Sequence, residues 1–124
     1  MKEVLLVFAG GGLGSLLRYQ LGRIMNQAYL PAFPFATLVI NIVASFILGC
    51  VLGYLAGQEN QNQSLKLLLA VGFCGGFSTF STFSYETLTL IRQGQISIAF
   101  GNILLSVVLC LGATYLGLLL TKHT

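Results

Sequence analysis

Charge is what this chain has least of. It carries six Lys and Arg and three Asp and Glu, 7% of 124 residues, against 56% hydrophobic residues. A soluble globular domain has about a quarter of its residues charged, so these proportions exclude one and imply an integral membrane protein. The carboxylates are Glu3, Glu59 and Glu86, and the single histidine, His123, lies next to the C-terminus. That supply forms no metal cluster and no hydrolytic triad, so catalysis is not expected. No basic run interleaved with aromatics occurs, which sets nucleic acid aside. Cysteine is scarce too. Cys50, Cys74 and Cys110 are odd in number and lack paired metal spacing, so they are expected to be buried small hydrophobes.

What is present is apolar length. Four segments, about 4–21, 35–56, 65–91 and 96–120, are each long enough for a spanning helix, which takes ~20 residues. Four helices and short loops use up 1–124 as one all-α, multi-pass domain, with the membrane lipid as its solvent. Asn26, Gln27, Pro31 and Pro34 punctuate the first connection, 58–63 is the most polar stretch, and Gly94 marks a short third turn.

Polar residues inside the spans are few and regularly placed. Gly10, Gly14, Arg18 and Gly22 share one face of the first segment, and Gly49, Gly53 and Gly57 one face of the second. Such small-residue spacing suits close helix packing. Arg18 either snorkels to the interface or holds a pathway mouth positive. Asn41 either clasps a neighbouring helix or lines a pore. In the fourth segment Asn102, Ser106, Cys110 and Thr114 recur every four residues. They either knit two helices together or hand an ion along.

The third segment is the least ordinary. Gly75 and Gly76 sit where a spanning helix would carry Leu or Ala, at about 0.8–1 kcal/mol of helix propensity each. A helix break is expected near Gly75, facing protein or a wet cavity, because freed backbone groups are not tolerated in hydrocarbon. Phe77, Phe80 and Phe83 then recur every third residue among Ser78, Thr79, Ser81, Thr82 and Ser84. One reading is a packed core with hydroxyls bonded back to carbonyls. The other uses the positive ring edges of the phenylalanines and the hydroxyl donors to replace an anion's hydration shell. Glu86 falls near the end of the segment, where a carboxylate is tolerable.

The run Gly75-Gly76-Phe77-Ser78-Thr79-Phe80-Ser81-Thr82-Phe83-Ser84 closely resembles the signature of the Fluc (CrcB) fluoride channels, Gly-Gly-x-(Ser/Thr)-Thr-Phe-Ser-Thr-Phe-Ser. The stretch Ala36-Thr37-Leu38-Val39-Ile40-Asn41 is similar to that family's Gly-Thr-Leu-x-Val-Asn, with Ala36 for Gly. The resemblance implies a fluoride pathway through Asn41, Phe80, Ser81, Thr82, Phe83, Asn102, Ser106 and Thr114, with Cys110 a weak rung. It gives Arg18 a vestibule or structural role and leaves that of Glu86 open. It further implies one structural, untransported sodium at a dimer centre, held by main-chain carbonyls of Gly75 and Ser78, with Ser78 replacing the commoner Thr.

Orientation adds an independent expectation. Lys2, Lys66 and Lys122 fall on one side of four spans and Arg18, Arg23 and Arg92 on the other. Three against three gives the positive-inside rule no preference, so the chain can insert both ways. Two opposed copies about a two-fold axis in the membrane plane are then the economical way to enclose a pore, and the resemblance implies the same dual-topology antiparallel homodimer. The implied function is passive fluoride export across a bacterial inner membrane; fluoride itself comes from the resemblance alone. The alternative is a small multidrug-type proton-coupled exporter of cationic compounds. That function needs a carboxylate deep in the membrane, and Glu3, Glu59 and Glu86 are all peripheral.

Overall fold

A computed structural model describes residues 1–28, 33–58 and 62–122. Pro31, Glu59 and His123 lie outside the described residues. Among those described, the chain is helical throughout, with no strand, and four stretches are long and apolar enough to cross a membrane. It is a multi-pass membrane protein. The first helix runs Lys2–Ala28, the second Phe35–Ala56 and the fourth Ile96–Thr121. The first continues past residue 21, where the apolar run was expected to end.

The third span, Gln63–Arg92, is two helical halves. The entering half starts at Asn62, whose side chain accepts from the Leu65 N–H at 3.1 Å, and takes the wider π form over Lys66–Cys74. Gly75–Phe77 is again α-helical. The chain then turns extended at Ser78 (φ −76°, ψ 157°) and Thr79 (φ −150°, ψ 113°), and the leaving half, Phe80–Arg92, follows. The break therefore sits three residues beyond Gly75. Propensity alone misplaced it, because Gly75 and Gly76 serve a different need.

That need is close approach. A Cβ added to Gly76 would lie 2.4 Å from the Gly11 carbonyl oxygen, and one on Gly14 would lie 2.3 Å from that of Phe73. The first helix and the entering half thus meet backbone to backbone. The second helix meets the fourth in the same way, with a Cβ on Gly49 falling 2.2 Å from the Thr114 oxygen and one on Gly117 2.5 Å from that of Phe46. Lipid tails are as apolar as leucine, so helices associate in a bilayer through such packing. The expected glycine faces are used only in part. Gly57 is near only its own Tyr54 carbonyl, at 3.7 Å, and Gly22 only the tip of Ile40, at 4.0 Å.

The second helix touches every other element and buries Thr37, Leu38, Ile40 and Ala44. Its Ile40 and Ala44 pack with Phe77 to form the core. The turn from the leaving half into the fourth helix is closed by Gly94 at φ 80°, with the Gly94 N–H donating to Ile91 and the Gln95 N–H to Leu90. This double bond pattern around a left-handed glycine is a Schellman stop. It sets the leaving half against the fourth helix. Cys50, Cys74 and Cys110 are all unpaired.

These contacts separate structural from neutral glycines. Gly76→Val should force the first helix off the entering half, an overpacking of about 1–3 kcal/mol, and lower the melting temperature of the detergent-solubilised protein. Gly12→Ala, with nothing within 4 Å of the added carbon, should leave it unchanged or slightly raised. Equal melting of both variants would contradict this packing.

Candidate functional site

Everything at the site follows from how the break is closed. The Asn41 side chain accepts from the Thr79 N–H at 2.8 Å and donates through Nδ2 to the Thr79 carbonyl at 3.2 Å. One amide therefore satisfies both polar groups of a residue that has left the helix. The Thr79 hydroxyl in turn accepts from the Thr82 N–H at 3.2 Å and caps the leaving half. The same oxygen donates to Thr82 Oγ1 at 2.9 Å and lies 3.4 Å from Ser81 Oγ.

This closure strips carbonyls of their helical donors. In a continuous helix the N–H of each residue bonds the carbonyl four back. Here the Thr79 N–H goes to Asn41 instead of Gly75, and the Thr82 N–H goes to the Thr79 hydroxyl instead of Ser78. The Gly76 carbonyl, also past the reach of the broken ladder, accepts from Arg18 Nε at 3.0 Å. Gly75 and Ser78 line one recess of about 140 Å3 with Ala44, Ser45, Leu48, Ala70 and Cys74. Among the described residues no cluster of His, Cys, Asp or Glu could hold a metal. The oxygen donors that the residues lining the recess carry are main-chain carbonyls and the hydroxyls of Ser45 and Ser78.

Two larger hollows meet at Thr79. One, about 260 Å3, is lined by Arg18, Arg23, Asn26, Thr37, Thr79 and Thr82 among others. It holds two guanidinium groups and no lining carboxylate. The other is a groove of about 240 Å3 lined by Asn41, Ser45, Ser78, Thr79, Phe80, Phe83, Ser106, Val107 and Cys110. The Phe80 and Phe83 rings lie 5.5 Å apart between centroids, tilted by 38°, and Phe80 is 78% exposed. Phe77 does not join them. It is 1% exposed and stacks on Phe73 at 5.5 Å. The break divides the three-residue aromatic stripe, so Phe77 is core.

The other expected residues divide as well. Ser106 reaches the groove, while Asn102 is buried behind it, donating to Thr87 Oγ1 at 2.9 Å and accepting from Ser106 Oγ at 3.4 Å. Thr114 is bonded back to the Cys110 carbonyl at 2.9 Å and lies at the contact with Gly49. Ser81 is exposed and lines neither hollow. Glu86 is half-buried and accepts a hydrogen bond from the Thr37 hydroxyl. Ser45, Thr79 and Arg23 line the hollows without having been singled out. A signal for Ser45 existed: Thr37, Asn41 and Ser45 repeat every four residues on the second helix.

Residues 5–118 match the family described as CrcB-like protein, Camphor Resistance (CrcB). A curated relative from Beijerinckia indica is 47% identical over 124 residues, covering 98% of each chain. Others from Gloeothece citriformis and Pyrococcus abyssi are 43% and 42% identical over 123 residues, covering 98–99% of each chain. All three are named fluoride-specific ion channel FluC.

The Asn41 clamp makes a graded prediction. Asn41→Leu leaves both Thr79 groups unpaired, at about 1–3 kcal/mol for each buried group, and should speed exchange of the Thr79 amide hydrogen and lower the melting temperature. Asn41→Asp keeps the acceptor and should hold the Thr79 amide protected while losing the bond to the carbonyl. Exchange unchanged in the Leu variant would show that Asn41 does not close the break.

Proposed function

The chain belongs to the CrcB family, a family of channels and not of enzymes, and from that premise we propose that it is a fluoride channel through which the anion leaves the cell passively. The observation that carries this reading is that Thr79 lines both the arginine-walled recess and the phenylalanine groove. The two hollows thus form one route. Arg18 and Arg23 gather anions at its mouth by electrostatic focusing. Beyond Thr79, ring edges of Phe80 and Phe83 and the second amide proton of Asn41 take over from water, and Ser106 lines the groove with its proton given to Asn102. Thr82 lines the mouth, and Asn102 orients Ser106 from behind. Ser81 and Thr114 lie off the route within one chain, so any contact they make with the ion requires a partner copy or a rotamer change.

A second copy completes the site. In one chain the groove is open on a side, Ser81 and Ser84 are exposed at membrane depth, and so is Gly75. An antiparallel homodimer in the bacterial plasma membrane covers these groups and brings the two breaks together. The Gly75 and Ser78 carbonyls, deprived of their helical donors, fit a hard monovalent cation bound through oxygen, and sodium would supply positive charge joining the two breaks. The Ser78 side chain is not needed as a ligand, since it donates to the Cys74 carbonyl at 2.8 Å.

The reading is tested by anion efflux from liposomes. Fluoride should leave fast and chloride should not. Phe80→Ile or Phe83→Ile should slow fluoride at least about tenfold, roughly 1.4 kcal/mol of barrier, with the dimer intact by size-exclusion. Neither anion moving, from a folded dimer in sodium buffer, would overturn the proposal. For the cation, replacing sodium by N-methyl-D-glucamine should lower the melting temperature of the wild-type dimer. No shift would remove sodium from the assembly.

A further inference from the structure

We infer that Ser45 is a further anion-contacting residue of the pathway, the hydroxyl that receives the ion midway through the membrane. This rests on the channel reading above. Three polar residues, Thr37, Asn41 and Ser45, stand one turn apart on one face of the second helix. The first two are committed, Thr37 to Glu86 and Asn41 to the Thr79 backbone. Ser45 makes no hydrogen bond among the described residues.

Ser15, Ser64 and Ser97 also make no hydrogen bond among the described residues, but none of them lines the groove. The hydroxyls of Ser78, Ser84, Thr89, Thr114 and Thr121 each donate to the carbonyl four residues earlier. Ser45 does not bond back to Asn41 in this way. It is half-buried and lies about 15 Å along a helix of about 33 Å, at 1.5 Å per residue. A hydroxyl with no partner in its own chain, lining a groove at that depth, is open to an ion or its water.

The other donors of the groove are largely used. Ser78 gives its proton to Cys74, Thr79 to Thr82, Ser106 to Asn102, and Asn41 one of its two to Thr79. What remains for an anion is the second Asn41 proton, the Cys110 thiol, which is a weak donor, and the Ser45 hydroxyl. Ser45 also lines the recess of Gly75 and Ser78. It therefore stands where the anion groove adjoins the carbonyl recess, and is the strong free donor there beside Asn41.

The test uses Ser45→Ala and Ser45→Thr in the dimeric channel, reconstituted in liposomes and read with a fluoride electrode. Ser45→Ala should slow fluoride about tenfold, the scale of a lost hydrogen bond to a charged acceptor, and raise the half-saturating fluoride concentration. Its melting temperature should match wild type, because no protein bond is lost. Ser45→Thr should restore most of the flux. Wild-type flux and half-saturation in Ser45→Ala would overturn the inference while leaving the channel reading intact. Slowed flux with an equal fall in melting temperature and no rescue by Thr would overturn it as well, by making Ser45 structural. An unmutated protein that conducts no fluoride would overturn both readings together.

Discussion

The structure depends on one amide. A spanning helix can open inside a bilayer only if its freed N–H and C=O groups find partners, and Asn41 supplies both at Thr79. Without that closure the Thr79 N–H and carbonyl would stand unpaired at the break. With the closure, Thr79 becomes a helix cap, Phe80 and Phe83 turn to one groove, and Phe77 stays in the core. Arg18 completes the repair by donating to the Gly76 carbonyl. That guanidinium also belongs to a residue lining the recess beside Thr79.

Glycine serves a second constraint. The break is useful only if its position is fixed relative to the second and fourth helices. The backbone contacts at Gly14, Gly76, Gly49 and Gly117 leave no free volume for sliding. Such contacts exchange side-chain entropy for fixed register. The entering half is held to the first helix, and the second helix, carrying Asn41, is held to the fourth. The proposed ion route would then run along the seam where these two packed pairs meet.

Much of this could be read from residue order. Four apolar runs separated by polar punctuation specify four spanning helices whatever the packing, because hydrocarbon thickness sets the length. The importance of Asn41 and of the Phe-Ser-Thr run was also visible, since neither suits contact with lipid. The break was expected near Gly75 because propensity is a local quantity. Its true place is set by a side chain 38 residues away in sequence, which no local measure contains. Phe77 was grouped with Phe80 and Phe83 for the same reason: a three-residue period assumes one unbroken helix. The Thr114 and Ser81 side chains illustrate a different limit. Periodicity says which residues share a face, but it does not say what covers that face.

The position of Thr79 has an electrical side. If the arginine-lined recess is filled with water on the proposed route, it would hold nearly the potential of the solution it opens to, and little of the membrane voltage would fall across it. A single residue divides it from the groove. On that reading the field would be concentrated over the short stretch beyond Thr79. There an elementary charge crossing the membrane exchanges about 2.3 kcal/mol per 100 mV over a few side chains instead of the full bilayer. So thin a partition would turn a resting potential into a steep local slope for any anion taking this route.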